Sequence, residues 1–130
     1  KISKNMTIIT SGGGKRQWIK ASKYGCTTWL SGWSNLNPKI AIDFYNYYKS
    51  RNTKKMNQIL NYIEDPFSEI KKKYGWHLTI KALLQLNKNF MRYERSPLKE
   101  VSKKVLRDID AKFNKIKKNS SKIKIDKYFN

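Results

Sequence analysis

Met6-Thr7-Ile8-Ile9-Thr10-Ser11 running into Gly12-Gly13-Gly14, and Cys26-Thr27-Thr28-Trp29-Leu30-Ser31 running into Gly32-Trp33-Ser34-Asn35, decide how this chain folds. Each is a short run rich in β-branched residues that stops at glycine or small polar residues. A stretch of helical character, expected over residues 15–23, lies between them, and Gly25 suits its left-handed C-terminal cap. Strand, helix and strand in that order form the βαβ pattern of a parallel sheet. Ligands of such sheets bind beyond the carboxyl ends of the strands, where both small-residue loops fall. Two parallel strands alone expose both hydrogen-bonding edges and both faces. The pattern therefore predicts an α/β chain that forms the end of a larger domain.

Beyond these runs the sequence reads as helix. The loop 32–37 ends at Asn37-Pro38, a favoured pair of N-cap and first helical residue, and Ile40, Phe44, Tyr47 and Tyr48 follow at helical spacing to about Ser50. Met56, Ile59, Leu60 and Ile63 make the next stripe, which Pro66 is expected to end or kink near Asp65. Phe67, Ile70 and Tyr74 continue an apolar face to Gly75. The segment 78–86 is strongly helical, with Ile80, Leu83, Leu84 and Phe90 expected inward. A last helix is predicted from Ser96-Pro97-Leu98, with Leu98, Val101, Val105, Ile109, Phe113 and Ile116 inward and lysines outward. Residues 117–130 form a basic tail expected to be loosely ordered.

Charge constrains the partners. The formal net charge is +20, carried by 24 Lys and 5 Arg against 9 acidic residues. Lysine lacks the planar fork with which arginine recognises phosphates and base edges, so specific nucleic-acid reading is not expected. The charge is not confined to one half: residues 1–65 hold 11 basic and 3 acidic groups, residues 66–130 hold 18 and 6. Lysine, asparagine and isoleucine are abundant together, which suits compositional drift at solvated positions, and runs such as Lys71-Lys72-Lys73 read as solvated faces. The competing class is a basic helical module that binds RNA or DNA without enzymatic activity. It predicts lysines gathered on one surface and binding that falls with salt.

The remaining candidates read as structural. No apolar run approaches the roughly 18 residues of a membrane helix, and no signal-peptide pattern precedes Met6, so no membrane partner is expected. A single cysteine, Cys26, excludes an internal disulfide, fits a reducing, cytoplasmic setting and suits buried packing in its strand. His77, the single histidine, has no cysteine or carboxylate at ligand spacing, so no metal and no cofactor is expected. Gly12-Gly13-Gly14 lacks the spacing of a P-loop or dinucleotide fingerprint. Trp29, Trp33 and Trp76 read as core or subunit-contact residues.

The order of these elements resembles the C-terminal portion of the dihydrodipicolinate synthase / N-acetylneuraminate lyase superfamily of class I aldolases and dehydratases. The likeness rests on Thr10-Ser11-Gly12, on Gly25, on Leu30-Ser31 through Asn35-Leu36-Asn37-Pro38, on Thr79-Ile80-Lys81-Ala82 and on Arg95-Ser96-Pro97-Leu98. The spacing from Gly25 to Asn35 is most similar to the 5-dehydro-4-deoxyglucarate dehydratase branch. The resemblance covers roughly residues 5–115 and implies the end of a (β/α)8 TIM barrel followed by a three-helix appendage. On that map residues 1–51 hold the seventh and eighth strands (6–11 and 26–31) with their helices, 52–116 the appendage and 117–130 the basic tail.

The resemblance also implies chemistry. In the family a lysine on the sixth strand forms a Schiff base with a pyruvate-like keto acid, a tyrosine on an earlier strand shuttles protons, and a loop holds the substrate carboxylate. All three lie upstream of residue 1 on the family map, so this chain alone is expected to be inactive and to contain no catalytic residue. Substrate-binding positions carried over are Gly12 and Gly13, Leu30 with its main chain toward the lysine, Ser31 and Gly32. In the lyase branch acidic residues that bind substrate hydroxyls follow the seventh-strand glycine; here Gly13, Gly14 and Lys15 stand there, which suits a smaller or more anionic sugar acid. Lys81 lies far from the barrel mouth. The implied partners are a small keto-acid substrate and further copies of the intact protein, as a dimer or tetramer.

Overall fold

The computed structural model describes residues 6–11, 14–88, 93–98, 100–122, 124 and 129. Residues 1–32 and 33–130 form two compact units. In the first unit, β1 (Ile9–Thr10), α1 (Gly14–Ser22) and β2 (Thr28–Trp29) follow in order. β1 and β2 pair in parallel, Ile9 opposite Thr28 and Thr10 opposite Trp29. The βαβ expectation is met in kind but not in length: each strand keeps two residues, not six. A ladder needs a partner at every step, and the described residues give each strand one neighbour.

α1 covers both strands with Trp18, which is 1% exposed and packs against Trp29 at 4.5 Å between ring centroids. Cys26 is buried as expected, its thiol directed at the carbonyl oxygens of Ile8 (3.2 Å) and Thr28 (3.1 Å). Gly25 closes α1 in a Schellman turn. The Cys26 N–H donates to Ala21 O (3.2 Å), the Gly25 N–H donates to Ser22 O (3.2 Å), and Gly25 takes φ +89°.

The second unit is helical: α2 (Trp33–Leu36), α3 (Pro38–Lys49), α4 (Thr53–Ile59), a π-helical turn (Leu60–Glu64), α5 (Asp65–Tyr74), α6 (Trp76–Lys88) and α7 (Lys103–Lys122). The short α2 occupies what the sequence suggested was loop, and it seats Trp33 in the core, 2% exposed. Asn37 caps α3 as anticipated, its Oδ1 accepting from the Lys39 N–H at 2.8 Å, with Pro38 in the first turn. Arg51, with φ +54°, closes α3 in the same geometry as Gly25, its N–H bonded to Tyr48 O and the Asn52 N–H to Tyr47 O.

Pro66 does not end the helix. Proline offers no N–H to the carbonyl four residues back, and the chain absorbs the loss by widening one turn: the Asp65 N–H donates to Leu60 O, five residues earlier. Helical geometry thus continues through Pro66 into α5. Ile59, Leu60, Ile63, Phe67 and Ile70 are all buried; the π-helical turn and α5 pack on α7, whose Ile109, Phe113 and Ile116 are buried too. Each such side chain contributes roughly 1.5–3 kcal/mol of burial.

Two expectations for the last helix are corrected. α7 begins at Lys103, not at residue 98, and Leu98 is 61% exposed. The residues 117–122 assigned to the tail continue α7, with Ser120 fully buried. Ile80 and Leu83 are buried as expected, whereas Phe90 lies outside the described residues.

α5 and α7 are also joined at Asp108. Lys112 donates to both carboxylate oxygens (2.7 and 2.8 Å), and Tyr74 and Lys73 (3.2 Å) donate to Oδ2. These donors, Lys112 first and Tyr74 next, hold the Asp108 carboxyl well below the usual carboxylate range. A lowered native pKa stabilises the fold above the unfolded value near 3.9 and loses that contribution as pH falls through the native one. Asp108→Asn is therefore expected to lower the urea midpoint at pH 7, with the gap to the parent chain closing below about pH 4. A gap of constant size from pH 7 to pH 2 would show that the carboxylate charge is not what these donors hold.

Candidate functional site

In the first unit the parallel pairing of β1 with β2 puts Ser11 and Ser31 just past the carboxyl ends of the two strands. The Leu30 N–H donates to Thr10 O at 2.9 Å, so β2 continues alongside the last residue of β1 before the chain reaches Ser31 and Gly32. Leu30 is exposed at 63%, while Ser31 is half-buried and Gly32 is buried. Gly12 and Gly13 lie outside the described residues.

Two hydroxyls mark this end. Thr10 Oγ1 and Ser31 Oγ are shielded from solvent, and neither has a hydrogen-bond partner among the described residues. An unmade bond of this kind costs about 1–3 kcal/mol, so both hydroxyls gain from any polar group brought to the strand ends. Ser31 is a predicted substrate contact. Thr10 is one that the sequence reading passed over as a strand residue.

Lys15 is the second residue missed. It lies in the first turn of α1, directly after the glycines, and is 1% exposed. No acidic residue shares that turn, and the helix N-terminus adds its own partial positive charge. The available signal was the Gly-Lys junction at a helix start, which read simply as a departure from the family's acidic pattern.

The second unit holds a separate cleft of about 250 Å³ lined by apolar surface of Tyr74, Trp76, Leu78 and Leu98, with His77 and Glu94 at its wall. Trp76, expected in a core or subunit contact, is 37% exposed. Beside the cleft Lys81 donates to Glu94 Oε2 (2.9 Å) and to Tyr93 O (3.0 Å), which ties α6 to the segment 93–98. Among the described residues no group of three or more His, Cys, Asp or Glu side chains is placed to hold a metal ion. No described helix is long and apolar enough to cross a membrane. No family model, no curated protein and no solved structure matches this chain.

Proposed function

We propose that residues 6–32 close a (β/α)8 barrel and that the chain is the C-terminal part of a Schiff-base-forming lyase. The substrate class is a pyruvate-like keto acid or a deoxy-sugar acid, and the reaction an aldol cleavage or a dehydration. The observation that carries this reading is the parallel pairing of β1 with β2 across α1, with Ser11 and Ser31 just past the carboxyl ends. A wholly helical binding module has no use for such a unit.

In this reading a lysine on a preceding strand attacks the keto carbon. Water leaves, and the resulting cationic imine withdraws electrons from the bond that breaks. Residues of this chain supply the wall. Thr10 and Ser31 offer hydroxyls to substrate oxygens, Gly12 and Gly13 let the backbone approach, and the N-terminus of α1 favours the substrate's negative charge. The helices of the second unit form the appendage through which copies of the intact enzyme associate. A lone buried cysteine suits a reducing, cytoplasmic compartment.

Borohydride reduction in the presence of pyruvate tests the assignment. The chain extended through its upstream coding region is expected to take one covalent label, on a lysine before residue 1, while residues 1–130 alone take none. Stoichiometric labelling of the isolated chain, or none in the extended one, would overturn it.

A further inference from the structure

α7 presents its buried side, Ile109, Phe113, Ile116 and Ser120, to the core of its own unit. On the opposite side Lys104, Arg107, Lys115, Lys118 and Lys122 follow at intervals that return to one face of a helix, with the small Ala111 filling the position between. All five are exposed, and none makes an ion pair among the described residues. From Lys104 to Lys122 the ridge runs about 27 Å at 1.5 Å per residue. The helix has two acidic residues. Asp108, at the edge of the ridge, is already held by Lys112, Lys73 and Tyr74, and Asp110 lies about 100° round the helix from Ala111.

Helix stability does not explain this arrangement. Lys104 and Arg107 stand in the first turns, where the macrodipole disfavours cations, and the first turn carries no acidic residue. Lys115, Lys118 and Lys122 repel one another at three- and four-residue spacing. A linear polyanion relieves both conflicts at once. We propose that this ridge of α7 is a docking surface for the phosphate backbone of a nucleic-acid duplex, bound without regard to sequence.

Duplex DNA carries one negative charge per about 1.7 Å of axis, so a rigid ridge of this length meets more phosphates than it has cations. Four of the five cations are lysines, point charges that contact phosphates and do not read base edges. An anionic membrane fits less well. Amphipathic helices bind bilayers by inserting their apolar face, and here that face is occupied by the unit's own core.

Fluorescence anisotropy with a labelled 20-base-pair duplex of mixed sequence, titrated between about 50 and 200 mM KCl, tests the ridge. Five phosphate contacts give a slope of log K against log salt of about −4.5, a loss of several hundred-fold over that range. K104Q/R107Q/K115Q/K118Q/K122Q is expected to lose at least about 100-fold at 50 mM and to flatten the slope, with helicity by circular dichroism unchanged. K20Q/K23Q/K49Q/K54Q/K55Q, which removes the same number of charges elsewhere, is expected to stay within about three-fold of the parent chain. Equal losses in the two variants would overturn the proposal, because charge count alone would then explain binding. So would a flat slope for the parent chain, or capture by phosphatidylserine vesicles without capture of the duplex.

Discussion

Phe67→Ala is expected to lower the unfolding free energy of the helical unit by about 3–5 kcal/mol, the range for truncating a fully buried aromatic side chain. Phe67 is fully buried, lies 4.3 Å from the Trp33 ring by centroids, and has the Lys71 ammonium 5.2 Å from its ring centroid. Its removal costs the transfer free energy of the ring and leaves a cavity. The buried side chains around it, Ile63, Ile70 and Phe113 among them, belong to three segments that pack on one another, so collapse into the gap is limited. Urea unfolding followed by tryptophan emission measures the change, with Trp33 reporting from the site itself. A loss under about 1 kcal/mol would mean that the ring packs elsewhere.

Lys81→Met carries the next largest effect, about 1–3 kcal/mol, discounted because the ammonium is partly solvated. Glu94 is 5% exposed at its side chain and Lys81 38%, so the substitution removes a cation from beside a buried carboxylate and also releases Tyr93 O. Lys81→Met combined with Glu94→Gln is expected to regain part of the loss, because the second change removes the buried charge that lost the Lys81 ammonium. Urea midpoints of the four members of this cycle decide the matter. Strict additivity would show that the two groups do not interact. Lys81 thus ties α6 to the segment 93–98.

What the sequence made legible was local in origin. Gly25 and Asn37-Pro38 act within one turn of their own helices, and both caps stand where the residues put them. Arg51 makes the same left-handed closure as Gly25 without a glycine to announce it. Strand length was not legible, because a residue counts as ladder only when a neighbouring chain segment pairs with it. Pro66 shows the reverse: of the end or kink expected near Asp65, the structure makes a local change, one widened turn that gives way to α5 at Asp65, which packing against α7 favours and periodicity does not reveal. Leu98 fitted the apolar spacing of the last helix, yet it precedes the helix start and faces outward. At the strand ends the position of Ser31 just past an apolar run was legible. The burial of Lys15 was not, since lysine ordinarily seeks water.

The two-residue strands bear on how this chain must be handled. Within the described residues β1 and β2 each keep one rim of backbone groups with no strand beside it, and such rims are templates on which copies join side by side. Like charge keeps copies apart, and that protection shrinks with the screening length, from about 30 Å at 0.01 M salt to about 3 Å at 1 M. Concentrated salt, the usual means of stripping a basic protein of bound polyanions, thus removes the repulsion that keeps neighbouring rims from meeting. Dilute buffer favours dispersed chains, and brine favours their aggregation.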